Sequence, residues 1–356
     1  VLTRDPAPSP FQADRVFVIA EAGSNWRVGT PSRDRTMGRA LIDAAADAGA
    51  DAVKFQTYRA DTTYAPNAGA SEYLAAAGID EPILDLFRDL EMPYELVPEL
   101  AAYAAERGIE FMSSPFSLAD LAAVDPHVRI HKVASFEISD TRLLEGVART
   151  GKPVVVSTGA SGPDDIETAL EVLRENGAGP VCLLQCTSSY PAPPESLNLD
   201  VIPSLAGRFR LPVGLSDHSE DPVVAPVAAV ALGACVIEKH FTLHKALPGP
   251  DHAFAVTPDG LSALVRAVRL AVVMRGSDAK RVGEVEEELH GFARRCVQAT
   301  RAIRAGEVLE EGHNIAILRP GSRTSGVHPR ELPRLSGRPA SRDIDAGEGI
   351  REGDWT

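Results

Sequence analysis

Two histidines stand at matching places in this chain. His218 closes the apolar run PVGLSDH (212–218), and His240 lies near the end of CVIEKHF (235–241). A neutral imidazole is a good ligand for a divalent metal, and two converging from strand ends leave coordination positions open for a substrate. One such histidine alone reads as a hydrogen-bonded loop residue. Two apolar runs with the same charged tip, each with an ionisable neighbour (Asp217, Lys239), read as a site. Lys54 and Lys132 are embedded in DAVKFQ (51–56) and IHKVAS (130–135). An unpaired ammonium in an apolar strand is costly, so either a bound anion or an internal salt bridge is expected beside each. The hydroxyls Ser114, Ser135, Ser157 and Ser216 lie at the ends of comparable runs. Each alone is more often a turn residue; together they offer the donors that a phosphate or carboxylate needs.

These residues need a scaffold that brings strand ends together. Short β-rich runs at 16–23, 51–56, 109–114, 130–135, 153–159, 181–187, 212–218 and 235–241 alternate with alanine- and leucine-rich helical patterns such as 37–50, 94–108 and 164–177. Eight strands alternating with helices predict a (β/α)8 TIM barrel, whose chemistry sits at the strand C-termini. A doubly wound open sheet fits less well, because no G-x-G-x-x-G follows the first strand. Nearly every run also ends in a polar residue, as a sheet with one active rim would. After about residue 276 the pattern changes. Residues 276–292 are charged and read as a linker with a surface helix; 293–356 are glycine-rich with short β-like pieces. The segments AIRAGEVL (302–309) and DIDAGEGI (343–350) match in type and predict two strand–turn–strand halves. The expected organisation is therefore a barrel over 1–275, a linker over 276–292 and a small β-rich domain over 293–356.

Composition narrows the partners. The chain has 356 residues, 44% hydrophobic and 24% charged, with a net charge of −14. That is enough for a large core, and it argues against nucleic acid as a partner. No apolar run approaches the ~20 residues of a membrane span, so no membrane association is expected. The first residues, VLTRDPAPSPFQAD, are polar and lack the apolar stretch of a secretory signal. Cys182, Cys186, Cys235 and Cys296 lie in apolar contexts and read as reduced thiols. A cytoplasmic protein is the expectation.

The ordered segments IAEAGSN (19–25), DAVKFQT (51–57), SSPF (113–116), KVASFEI (132–138), STG (157–159), QCTSSYPAP (185–193), LSDHS (215–219), EKHFTL (238–243) and GPDH (249–252) resemble the sialic acid synthase family. This family includes N-acetylneuraminate, pseudaminate and legionaminate synthases. The stretch with RPG at 319–321 resembles the antifreeze-like (SAF) domain that follows the barrel there. The resemblance covers almost the whole chain. It implies condensation of phosphoenolpyruvate (PEP) with an N-acylated amino sugar, releasing phosphate. His218 and His240 match the divalent-metal ligands, with Mn2+ the usual ion and Mg2+ or Co2+ the alternatives. Lys54, Lys132, Ser114, Ser135, Ser157, Ser188 and Ser216 match contacts to the PEP anions. Gln56, Glu21, Phe116, Glu137, Tyr190 and Asp251 match further site positions. Arg319 matches an arginine that reaches a partner's barrel in a domain-swapped homodimer.

The implied chemistry is attack of PEP C3 on the aldehyde of an open-chain sugar, water addition at C2 and loss of phosphate by C–O cleavage. The metal would polarise the aldehyde oxygen, and the lysines would hold the anion as fixed electrostatics. Three departures bear on the sugar: Asn25-Trp26 after the first strand, His244 after EKHFTL, and Ser135-Phe136-Glu137, a form shared with the pseudaminate branch. They leave N-acetylmannosamine and a 2,4-diacetamido-trideoxyhexose both open. A 3-deoxy-heptulosonate-type synthase or an aldolase on a similar barrel is the competing enzyme. An inert barrel carrying a carbohydrate-binding domain is the competing class.

Overall fold

Alternation along eight strands decides which side chains meet at the centre. The computed structural model describes residues 10–12, 15–70 and 79–356. Most of the polar N-terminal stretch, and residues 71–78, lie outside them. The parallel strands are β1 (Phe17–Gly23), β2 (Ala52–Thr57), β3 (Glu110–Pro115), β4 (His131–Val133), β5 (Val154–Ser157), β6 (Val181–Cys186), β7 (Val213–Asp217) and β8 (Val236–His240). Their order is β3-β2-β1-β8-β7-β6-β5-β4, and β3 and β4 lie side by side, so the sheet curls into a nearly closed TIM-like barrel. The fold class expected from the sequence is the one observed.

Helices fill the crossovers and take one face of each strand. The helix Pro31–Asp47 opens with proline at its first position and buries Met37, Leu41, Ile42 and Ala45, a 3–4 spacing that makes one apolar stripe. Helix Thr141–Arg149 is capped by Asp140, and helix Pro258–Arg275 by Thr257. Against these helices pack the outward residues Val18, Ala20, Val53, Phe55, Val154, Val156, Leu183, Leu215 and Ile237. Each large side chain so buried stabilises by about 1.5–3 kcal/mol.

The other face of the strands fills the barrel in layers. The lower layer holds Ile19, Ala52, Met112, Ile130, Val155, Cys182, Leu184 and Val236. Two residues further along the same strands stand Glu21, Lys54, Ser114, Lys132, Ser157, Cys186 and Glu238, all buried. The four cysteines are buried and unbridged. The fourth strand is shorter than its sequence suggests. It stops at Val133, and Ser135–Ser139 coil into a 3-10 turn, which carries Ser135 and Glu137 past the strand end.

Ser277–Thr356 form a second compact unit with its own core. Strands β9 (Cys296–Ala299) and β10 (Ile315–Leu318) pair antiparallel. The matching AGE segments do not make full hairpins, as the sequence suggested. Each is a tight turn bridged at single residues, because its glycine (Gly306, Gly347) takes a left-handed φ and the flanks bend away after one pair. The two turns bridge each other. Ile303 N–H donates to the Ile344 carbonyl at 2.8 Å, and Ile344 N–H returns the bond at 2.8 Å. Arg301–Glu307 in one half corresponds to Arg342–Glu348 in the other. Among the described residues, no helix is long and apolar enough to cross a membrane.

Candidate active site

Strand register assembles the upper layer. Glu21 on β1 stands opposite Lys54 on one side and His240 on the other. Cys186, Ser216 and Glu238 form a second row across β6, β7 and β8. The Lys54 ammonium lies 2.6 Å from Glu21 and 3.6 Å from Glu238, and donates to Ser114 Oγ at 3.2 Å. Gln56 donates to the other Glu21 oxygen at 2.9 Å. Lys132 lies 3.7 Å from Glu238 and donates to the Val133 carbonyl at 3.1 Å. Ser216 donates to Glu238 at 2.9 Å. Both lysines therefore have internal carboxylate partners, so an anion is not needed merely to relieve their burial. Lys132 is nonetheless the looser of the two.

Electrostatics follow from this crowding. Burial alone would lower the Lys54 pKa, but Glu21 and Glu238 carry it upward. Burial lowers that of Lys132, with Glu238 only partly offsetting it. Burial would raise the Glu238 carboxyl, yet Lys132 and Lys54 drive it well below the ordinary range. Burial raises Glu21. Glu137, beyond β4, is pushed up to about 7 by burial, against the pull of Lys132.

Several polar groups converge on Gly159, past the end of β5. Gly159 N–H donates to Ser135 Oγ at 3.0 Å. A Cβ on Gly159 would collide with Ser188 Oγ and sit 2.9 Å from Ser135 Oγ, so only glycine lets these groups converge. Ser157 Oγ, Ser188 Oγ and Glu137 Oε2 are buried with no hydrogen-bond partner among the described residues. Orphaned buried polar atoms are rare and mark where a ligand would complete the network.

The histidines meet across β7 and β8, with ring centroids 5.3 Å apart. His218 Nδ1 lies 2.7 Å from the Thr187 carbonyl, which fixes the proton there and leaves Nε2 as the lone pair. Burial holds His218 neutral, its pKa pushed down to about 3. His240 Nδ1 faces Asp251 at 3.5 Å. Burial would lower its pKa, but Asp251 outweighs burial and raises it. Tyr190 stacks over His218 at 4.1 Å and meets His240 edge-on at 5.9 Å. His218 thus has one nitrogen held by the backbone, and His240 has a carboxylate facing Nδ1 without a formed hydrogen bond; outer partners of this kind orient metal-ligating imidazoles. Among the described residues, no group of three or more His, Cys, Asp or Glu gathers as a metal cage.

Two of the expected residues stand outside this layer. Phe116 belongs to an aromatic cluster with Tyr58, at 5.1 Å, and not to the polar layer. Arg319 follows β10 in the second unit and is exposed. The sequence neighbours of the histidines also serve another purpose. Lys239 pairs with Asp217 at 2.7 Å and reaches Ser219 Oγ at 3.3 Å, on the opposite strand face from His240. Glu238, Cys186 and Phe254 escaped notice in the sequence. Glu238 was legible by period-2 alternation, since it shares a face with His240. Cys186 approaches Ser135 Oγ at 3.5 Å, and Phe254 packs on His240 at 5.1 Å. Trp26 is buried among the helices, where it packs as core.

Comparison with known proteins gives this arrangement a family. Residues 41–280 match the NeuB family model, and residues 294–354 match that of the SAF domain. The spore coat polysaccharide biosynthesis protein SpsE of Bacillus subtilis is 42% identical, over 94% of this chain and 92% of that protein. The N,N'-diacetyllegionaminic acid synthase of Campylobacter jejuni is 36% identical, over 95% of this chain and 99% of that protein. The crystal structure of N-acetylneuraminic acid synthetase from Leptospira borgpetersenii in complex with citrate is 32% identical, with a TM-score of 0.69, covering 78% of this chain and 90% of that one. The barrel with its buried charged layer, followed by a SAF domain, belongs to an enzyme of the NeuB family.

Proposed function

We propose that the chain condenses phosphoenolpyruvate with an N-acylated amino sugar to give a nonulosonic acid, releasing phosphate by C–O cleavage. The observation that carries this reading is the juxtaposition of Lys54 and Lys132 with the unpartnered hydroxyls of Ser157 and Ser188, all at one end of the barrel. Cations plus unsatisfied donors suit a ligand with both a phosphate and a carboxylate. The legionaminic acid synthase relative supports a 2,4-diacetamido-trideoxyhexose as the sugar, with N-acetylmannosamine as the other candidate.

In this reading Lys54 and Lys132 hold the PEP anions, with Ser114, Ser135, Ser157, Ser188, Ser216 and Gly159 around them. Glu21, fixed by Gln56, keeps the Lys54 ammonium charged and aimed. Glu137 sits where it can take or return a proton near neutral pH. Tyr190 and Asp251 line the sugar side. His218 and His240 would hold a divalent cation, Mn2+ foremost, with their free nitrogens; bound there, it supplies Lewis-acid polarisation of the aldehyde. We further propose a domain-swapped homodimer in which Arg319 serves the partner's barrel. Refolding Arg319→Ala together with His218→Ala then restores part of the activity that each alone lacks.

The test is direct. The protein is mixed with PEP, Mn2+ and a panel of N-acylated amino sugars in 18O-labelled water, and phosphate is measured. Phosphate free of label, with label in the product, supports the reading. No phosphate with any sugar overturns it in favour of a binding protein. Turnover only with a phosphorylated aldose lacking an N-acyl group favours the heptulosonate-type reaction.

A further inference from the structure

The segment after β8 leaves the barrel at Phe241, travels through residues 243–255 and returns beside its own starting point. Val256 N–H donates to the His240 carbonyl at 3.0 Å, and Thr242 N–H donates to the Val256 carbonyl at 2.9 Å. The excursion is therefore tied at its base. Within it stands Asp251, whose carboxylate faces His240 Nδ1 at 3.5 Å. The next residue, His252, turns the other way and is only 1% exposed. Its Nδ1 lies 2.6 Å from Thr242 Oγ1, and Thr242 is fully buried. Thr242 Oγ1 also accepts the His244 N–H at 3.2 Å. Gly249, at φ +136°, brings the chain so close that a Cβ there would lie 3.1 Å from the His252 ring. Two adjacent residues thus have opposite duties: Asp251 points at the metal-ligand candidate, and His252 is bolted to the strand that carries it.

We infer that the His252–Thr242 hydrogen bond is a latch that sets the position of Asp251 against His240, making His252 a positioning residue for the reaction. The inference rests on the proposed role of His240 as a metal ligand. Asp251 faces His240 Nδ1 at 3.5 Å, too far for a formed hydrogen bond, so the carboxylate's position decides whether it can hold that nitrogen as the Thr187 carbonyl holds His218 Nδ1. A carboxylate that can drift cannot hold a ring in one tautomer and orientation. His252 bonds to Thr242 and not to either imidazole among the described hydrogen bonds, and it acts on His240 by way of Asp251. Its ring suits this task because it combines a flat, space-filling body under Gly249 with one hydrogen-bonding nitrogen.

The experiment titrates the metal-free protein with Mn2+, read by the electron-spin resonance of the free ion, and measures kcat and KM separately. His252→Phe keeps the volume and loses the bond; His252→Asn keeps a hydrogen-bonding atom near the place of Nδ1. Thr242→Val and Thr242→Ser make the same contrast from the other side. His252→Phe and Thr242→Val are each expected to weaken Mn2+ binding by about 10- to 100-fold, the usual cost of losing an outer-shell support. Their double variant should be no worse than either, and Asn and Ser should recover most of the loss. The KM for PEP should stay near that of the unaltered chain while kcat falls. Equal Mn2+ uptake by the unaltered chain and His252→Phe overturns the latch alone. No uptake by the unaltered chain overturns the metal reading and the latch together. Should His252→Phe fail to fold, Thr242→Val decides, since it removes only a hydroxyl.

Discussion

The two layers inside the barrel are built on the same strands and have opposite energetics. Ile19, Met112, Ile130, Val155, Leu184 and Val236 form an apolar plug. Two residues on, with Lys54 beside them, stand Glu21, Ser114, Lys132, Ser157, Cys186 and Glu238. The plug stabilises by removing apolar area from water. The layer above it takes two ammonium and two carboxylate groups out of water, and their mutual attraction repays that desolvation at best in part. The difference teaches that stability and chemistry are segregated by a single step of alternation, so that a strand carries both without compromise.

The sharpest way to break the comparison is to strip the upper layer of its metal-ligand candidates. His218→Ala with His240→Ala should lower turnover by about 10³-fold, corresponding to several kcal/mol of transition-state stabilisation. Bound Mn2+, by elemental analysis, should vanish with it, while thermal unfolding stays within a few degrees of the unaltered protein. Undiminished metal would remove these histidines from the site.

The lower layer should give the mirror image. Leu184→Ala leaves a cavity in the plug and should cost about 2–5 kcal/mol in urea unfolding. Well below the melting temperature, kcat should remain within a factor of about two. A large kcat loss would mean that the layers are mechanically coupled.

A third change sharpens the comparison within the upper layer. Lys132→Ala removes a charge-assisted contact, and PEP affinity by calorimetry should fall by about 10- to 150-fold, or 1.5–3 kcal/mol. Glu238 keeps Lys54 as a counter-charge, so the loss of stability should be smaller than for Leu184→Ala. Unchanged affinity would mean that Lys132 serves only Glu238.

The smallest expected effect is a pH dependence. Burial pushes the Glu137 carboxyl up to about 7, well above the ordinary glutamate range, so the folded chain holds a proton there that the unfolded chain has already released. Stability contributed by that proton is present below the unfolded value and is lost as pH rises through about 7. Relative to Glu137→Gln, the unaltered chain should lose about 1–2 kcal/mol between pH 5 and pH 8, discounted for its partial exposure. Parallel curves for the two proteins would show that the Glu137 carboxyl titrates normally.

Most of the barrel was readable, because a parallel strand buried on both faces must be a short apolar run and a crossover helix must carry an apolar stripe. The eight runs fall within two residues of the observed strands. The polar strand ends were readable too, but which of them face inward was not taken from adjacency. Asp217 and Lys239 stand next to the histidines in sequence, and alternation turns them to the outer face, where they pair with each other. The same rule points to Glu238, which adjacency hid. Ser135 was expected at a strand end; its placement, like that of Glu137, depends on a 3-10 turn that no period reveals. Partnerships such as Lys54 with Glu21 are set by register between strands, and a single run of residues does not encode register.

The second unit carries its own lesson. Ile303 and Ile344 exchange their backbone hydrogen bonds, and their successors Leu309 and Ile350 enter one shared core. Two consecutive stretches of one polypeptide thus assemble as the halves of a small symmetric dimer would. The consequence is mutual dependence: each turn supplies the other's missing edge, so neither has a folded state of its own. The stretch around Ile344–Ile350 is one half of an internal handshake. A change that frees Ile344 unties Ile303 in the other half, and the unit should melt as one body.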